Sequence, residues 1–174
     1  MPRSARVVPP GYALHVINRG NRRQRLFATP ADYVAFLCLM RRAAELHPMR
    51  LLAYCLMPNH WHFVLWPHTP RSLSAYMHWL TSTHVRRHRW ATQTIGEGHL
   101  YQSRYWSDVM TNDLKLIWAC RYVEGNALAA TLKPRAEEWP YGSLSPLATG
   151  PDRPILSPWP IPKPDNWIDI VNRI

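Results

Sequence analysis

Residues 50–67 constrain the fold more than any other stretch. RLLAYCLM (50–57) and HWHFVLWP (60–67) are two apolar runs separated only by Pro58 and Asn59. Pro-Asn is a tight-turn signal, so the spacing predicts an antiparallel hairpin with strands over 50–57 and 60–67. Side chains alternate between the two faces of a strand. Trp61, Phe63 and Leu65 therefore point one way, and His60 and His62 the other. Either the two imidazoles line an idle polar face or they hold something together.

The neighbouring segments supply the rest of a sheet. YALHVIN (12–18) reads as a strand, and RGNRRQR (19–25) as an arginine-rich turn after a basic arm at 1–11. Apolar residues recur at helical spacing from Pro30 to Glu45, with Thr29 placed to cap and Pro30 suited to the first turn. A second helix is predicted over 71–90, apolar at Leu73, Met77 and Leu80. A glycine-bearing loop follows, then a strand over 104–110 and a helix capped by 111–113 that runs to about Gly125. The order β-α-β-β-α-β plus one more helix is the ferredoxin-like split β-α-β arrangement, an α+β fold with an antiparallel sheet. Two helices cover one face of such a sheet, over Trp61, Phe63 and Leu65, which leaves His60 and His62 on the uncovered side. The expected domain spans 1–133, extending to about 145. Residues 134–174 are proline-rich and read as an extended tail over the surface. The fold decides no function by itself.

Composition narrows the partner. Lysine plus arginine number 21 against 11 aspartate plus glutamate, a formal charge of +10. Lysine occurs only at 115, 133 and 163, so arginine carries most of the charge. Its planar fork matches phosphate bidentately, which suits a polyanion; a basic surface kept for solubility is the plainer reading. Cys38, Cys55 and Cys120 are far apart and odd in number, which argues against a disulfide framework or a thiolate zinc site. Each reads as a small buried apolar residue. No signal-peptide pattern and no membrane-length apolar run occurs, so a cytoplasmic protein is expected, nucleoid-associated if its partner is bacterial DNA.

In the last helix Trp118, Tyr122 and Asn126 fall at i, i+4 and i+8 and share one side. If that side meets the histidine face, two imidazoles and an amide oxygen form a three-ligand set for a divalent metal, one that admits Mn²⁺ as well as Mg²⁺. A tyrosine hydroxyl alongside is a nucleophile able to form a phosphotyrosine. Each residue has an ordinary structural alternative: a satisfied histidine, a core tyrosine, a helix-terminating asparagine beside Gly125. Trp61 and Trp118 are both expected in the core.

Four segments carry a family resemblance: HVINRGNRRQRLF (15–27), MPNHWHFVLWP (57–67), GHLYQSRYWS (98–107) and RYVEGNALAA (121–130). In order and spacing the chain resembles the IS200-like tyrosine transposases over residues 12 to about 145, and more narrowly the REP-associated branch, tied to repeated extragenic palindromes. The resemblance implies that His60 and His62 are the metal-binding His-hydrophobic-His pair, Asn126 the third ligand and Tyr122 the catalytic nucleophile. It implies Mg²⁺ or Mn²⁺ as cofactor and cleavage of single-stranded DNA, leaving a 5′-phosphotyrosine and a free 3′-hydroxyl. The implied substrate is a palindromic hairpin with a short single-stranded flank, and the implied assembly a monomer or homodimer. Two departures stand out. Gly125-Asn126-Ala127 replaces the frequent Asn-Pro, which bears on the helix end, and Gln102-Ser103-Arg104 replaces the usual Gln-Gly-Arg.

For DNA contact the first candidates are Arg19, Asn21, Arg22, Arg23 and Arg25, and the second Arg86, Arg87, Arg89 and Arg104. Arginine can hold backbone phosphate or read guanine edges. Trp79, Trp90 and Trp106 are possible stacking platforms for unpaired bases. Three functions compete: a strand transferase using Tyr122, a hairpin-binding protein of the same fold that does not cut, and a metal-dependent hydrolase that uses water.

Overall fold

The expected hairpin forms where the two apolar runs lie. In the computed structural model, which describes residues 8–173, strand β2 (Met49–Met57) pairs antiparallel with β3 (His60–Pro67) across the Pro58-Asn59 turn. The part of the basic arm over 1–7 lies outside the described residues. Strand β1 (Leu14–Arg19) runs antiparallel to β3, and β4 (Trp106–Val109) to β1, giving the sheet order β2-β3-β1-β4. That is the ferredoxin-like arrangement, with β1 and β3 at its centre. Helices α1 (Pro30–Leu46) and α2 (Pro70–Ala91) supply the crossovers. Both open on Thr-Pro: Thr29 and Thr69 cap the first turn through reciprocal bonds with Asp32 and Ser72, and proline takes the position that needs no donor.

Helices α1 and α2 cover one face, where Leu14, Val16, Trp61, Phe63 and Leu65 meet Phe36, Leu37, Met40, Leu73, Tyr76 and Met77. The opposite face is not uncovered. Helix α3 (Asp113–Glu124) lies across it and buries Leu116, Ala119, Cys120 and Val123 against Ala53, Cys55 and Val64. Strand β2 is therefore apolar on both sides. A register shift between Leu51 and Ala53 turns two successive residues, Leu52 and Ala53, to the α3 side before alternation resumes. Cys55 and Cys120 are buried as expected; Cys38, on α1, is only half-buried and its thiol meets the Asp152 carbonyl.

Residues beyond 134 join the core rather than merely passing over it. Tyr141 and Ser143 bond to Leu56 and Tyr54, and Ser157 to Leu51, so the segment runs along β2 and covers an edge that would otherwise be exposed. A final helix, α5 (Trp167–Asn172), buries Trp167 and Val171 against α3. Glu124, at the end of α3, anchors it: both its oxygens are used, one by the Ser143 hydroxyl at 2.6 Å and one by the Trp167 indole at 2.5 Å. Burial raises the Glu124 carboxyl above the ordinary glutamate range. Among the described residues no helix is long and apolar enough to cross a membrane.

Candidate active site

Register brings the expected residues together. On β1 and β3, Ile17 stands opposite His62 and Arg19 opposite His60, so Arg19, His60, His62 and His15 all belong to the α3 side of the sheet. The His60 and His62 rings are 5.0 Å apart edge to face. Tyr122, on the flank of α3, meets His62 edge-on at 5.5 Å and His15 at 5.7 Å between ring centroids. Tyr122 nevertheless remains 57% exposed, so a substrate can reach it.

The helix end raised by Gly125 is resolved simply. Gly125 keeps helical angles (φ −83°, ψ −3°), and a short helix α4 (Asn126–Ala129) resumes at once. Asn126 is its first residue rather than a terminator, and its side chain interacts with the His60 imidazole. Trp118 departs from expectation: it is 62% exposed, with the Arg121 guanidinium 5.3 Å over its ring. Arg121 is itself held by the carbonyls of Ile170 and Arg173, so the tail fixes this part of α3.

Electrostatics favours neutral imidazoles. Burial, reinforced by the Arg19 charge, pulls the His60 pKa down to about 4. Burial, then the neighbouring His15, His60 and Arg19, pulls His62 down to about 2. Neutral imidazole keeps a lone pair, as a metal ligand must. His60 Nδ1 lies 2.7 Å from Asn59 Oδ1, an atom that can only accept, so a neutral His60 carries its proton on Nδ1 and keeps the Nε2 lone pair available to a metal. Backing of this kind by a carbonyl group is typical behind metal-bound histidine. Among the described residues no group of three or more His, Cys, Asp or Glu side chains is arranged to hold a metal. The set at this site is instead two imidazoles and a carboxamide, whose chemistry fits a divalent ion of the Mn²⁺ or Mg²⁺ type.

The arginine turn packs against the same end of the sheet. Gly20 is required there, because a Cβ would sit 2.2 Å from the Gln24 carbonyl oxygen. Arg22 and Arg23 adopt left-handed angles (φ 51° and 61°), an uncommon conformation held by surrounding bonds: Asn59 donates to the Arg23 carbonyl, and Gln24 to that of Leu100. Asn59 thus ties the turn to His60. Arg19, Arg22, Arg23 and Gln102 line one opening, and Asn21 and Arg22 line another with Arg89 and His99. Arg19 Nε is buried with no hydrogen-bond partner. Arg86 and Arg104 border a larger groove of about 680 Å³ between α2 and the 98–105 loop. Arg87 is exposed on α2. Arg89 is committed locally, to Thr94 and the Gly98 carbonyl. Trp90 and Trp106 are exposed, whereas Trp79 packs against the core.

Sequence reasoning missed His15 and Asn59. The alternation of HVINR was enough to place His15 with Arg19, once β1 is taken as the neighbour of β3. For Asn59 the turn signal hid a side chain that also serves the site.

Comparison with known proteins bears on the family and the fold. The family model described as "Transposase IS200 like" matches residues 10–126. A solved REP-associated tyrosine transposase bound to a REP hairpin superposes with a TM-score of 0.65 at 16% identity, covering 91% of this chain and 100% of its own. A putative transposase from Deinococcus radiodurans reaches a TM-score of 0.46 at 19% identity, covering 71% of this chain and 96% of its own. No curated protein matches the sequence. With about two thirds of its length matched by the family model, the chain belongs to the IS200-like transposase family, and its role is transposase-like processing of DNA.

Proposed function

We propose that the protein cuts and rejoins single-stranded DNA beside palindromic hairpins, using Tyr122 as the nucleophile and a divalent metal held by His60, His62 and Asn126. The observation that carries this reading is the edge-on approach of the exposed Tyr122 ring to the buried His62 ring at 5.5 Å. The similar fold solved with a REP hairpin supports the choice of substrate and of the REP-associated branch.

In this mechanism the Tyr122 oxygen attacks the scissile phosphorus in line with the departing 3′-oxygen. A Tyr–O–P bond forms, the P–O3′ bond breaks, and the phenolic proton is lost as the 3′-oxygen gains one. His60, His62 and Asn126 would hold a divalent metal, which would supply neutralisation of charge developing on the phosphate. Arg19, opposite His60 and with Nε unpartnered, offers a second positive charge at the same phosphate. A later attack by another 3′-hydroxyl reverses the bond changes and releases Tyr122, so strands are rejoined without ATP. Arg22, Arg23, Asn21, Arg86, Arg87 and Arg104 position the hairpin and its flank.

The test uses a hairpin oligonucleotide with a single-stranded flank, labelled at either end, with Mn²⁺ and with EDTA. Wild type should form a metal-dependent covalent adduct through the DNA 5′-phosphate, and Tyr122→Phe none. Cleavage surviving in Tyr122→Phe would make water the nucleophile. Tight binding without cleavage by either protein would mean a hairpin-binding role.

A further inference from the structure

We propose that His15 is a positioning residue for His62: its Nε2 accepts the proton on His62 Nδ1 and so leaves the His62 Nε2 lone pair free for the cation. The inference rests on the reading of His60, His62 and Asn126 as a metal site and adds a residue that makes no contact with the ion.

His15 lies diagonally across from His62 on the neighbouring strand, two residues along from Ile17, which faces His62 directly. Its Nε2 is 2.9 Å from His62 Nδ1, and the rings lie 15° from parallel with centroids 5.2 Å apart. Two neutral imidazoles can share this bond in either direction, but only one direction suits a ligand. If His15 donated, the single proton of His62 would sit on Nε2, the nitrogen that must face the metal. If His62 donates, Nε2 is free.

Among the described residues His15 is the one that hydrogen-bonds to His62 Nδ1. His62 is 1% exposed, so water cannot substitute. Its direct cross-strand neighbours are Ile17 and Cys55, and the Cys55 thiol is turned to Met57. Free imidazole prefers its proton on Nε2, so loss of His15 would favour the wrong tautomer. Asn59 performs the matching task for His60, through an acceptor that cannot be reversed. Behind His15, Asp108 stands directly opposite on β4, close enough for its charge to act on the ring. The row Asp108, His15, His62 thus runs across three strands, and partners of this kind raise ligand basicity and fix ring orientation.

His15 also packs on Tyr122 and Trp106, so two substitutions are needed to separate packing from hydrogen bonding. His15→Phe keeps a ring and removes the acceptor; His15→Gln keeps an acceptor and removes the ring. Long-range ¹H–¹⁵N correlation spectra of the metal-free protein report the His62 tautomer. Mn²⁺ affinity is read by electron paramagnetic resonance, and hairpin affinity in EDTA checks the fold.

Wild-type His62 should carry its proton on Nδ1. His15→Phe should move proton occupancy toward Nε2 and weaken Mn²⁺ binding about 10- to 100-fold. His15→Gln should bind Mn²⁺ within a few-fold of wild type, and both variants should hold the hairpin normally. A wild-type His62 protonated on Nε2 overturns the proposal, even where the Phe variant fails to fold. So does wild-type Mn²⁺ affinity in His15→Phe. His60→Ala separates the two readings: if it leaves Mn²⁺ binding intact, the metal site itself falls and this proposal with it. If it abolishes binding while His15→Phe does not, only this proposal falls.

Discussion

His62 and His84 lie on opposite sides of the same sheet, both shielded from solvent and both held neutral by burial, His84 with its pKa near 3. Their surroundings differ in kind. His84 is boxed by Phe27 and Phe36, and its Nδ1 meets the Tyr101 hydroxyl at 2.6 Å, which in turn accepts from the Trp61 indole at 3.2 Å. Phe27, Phe36 and Tyr101 belong to the core, and His88, one turn further along α2, meets the ring edge-on at 5.8 Å. His62 sits among His15, His60 and Tyr122, in a row that opens to solvent at Tyr122. Burial and lowered basicity therefore do not mark a site. Neighbours able to donate electron pairs, with one open end, do.

The sharpest way to break that contrast is to truncate each ring. His62→Ala should abolish metal-dependent cleavage, on the order of 10³-fold or more per folded molecule, beyond the stability lost with a buried ring. His84→Ala should cost stability alone. It opens a cavity in an aromatic core and leaves the Tyr101 hydroxyl without its acceptor, costing about 3–5 kcal/mol in urea unfolding, with cleavage per folded molecule retained. If His84→Ala destroyed activity without loss of stability, the division of labour between the two faces would be wrong.

The α1/α2 face was more legible in the sequence than the α3 face. Alternation in HWHFVLWP assigned Trp61, Phe63 and Leu65 correctly, and Thr29-Pro30 marked the start of α1, because period and capping are local. The candidate residues His60, His62, Tyr122 and Asn126 could be named, because strand alternation paired the two histidines and the i, i+4 spacing put Tyr122 and Asn126 on one side of a helix. That the last helix covers their face was legible only as a condition. Packing of α3 and α5 there depends on Glu124 reaching Ser143 and Trp167, contacts separated by 19 and 43 residues. Trp118 shows the same limit: apolar character suggested core, but the inner surface of α3 was already filled by Leu116, Ala119, Cys120 and Val123.

The open end of the site adjoins the arginine turn, and DNA arriving there should feel it. Replacing Arg22 and Arg23 together by alanine should weaken hairpin binding about 10- to 100-fold and reduce the slope of log affinity against log salt by about 2. The same pair of changes on the closed side, at Arg41 and Arg42 of α1, should alter neither. Equal effects at the two places would reduce the arginine turn to general surface charge.

The smallest effect concerns pH, and it tests what the two faces share. In the unfolded chain a histidine titrates near 6.5; in the native state His84 does so only near 3, because burial disfavours its charged form. Between those values the unfolded chain binds the extra proton, so stability rises with pH. The stabilisation is complete above about pH 6.5 and is lost as pH falls toward the native value, at up to about 1.4 kcal/mol per pH unit for one group. His60 and His62, with native values near 4 and 2, act in the same direction. Glu124, raised by burial, acts in the opposite direction, but equally in any variant that keeps it. Urea unfolding of wild type from pH 7.5 to 4.5 should therefore show a steep decline. His84→Phe, whatever its absolute stability, should decline less steeply, by about one group's share. His62→Phe should show a comparable flattening, since its native value near 2, like that of His84 near 3, lies below the whole range from pH 7.5 to 4.5. An unchanged slope in His84→Phe, with a flattened one in His62→Phe, would mean that the closed face yields to protonation by local opening and the site does not.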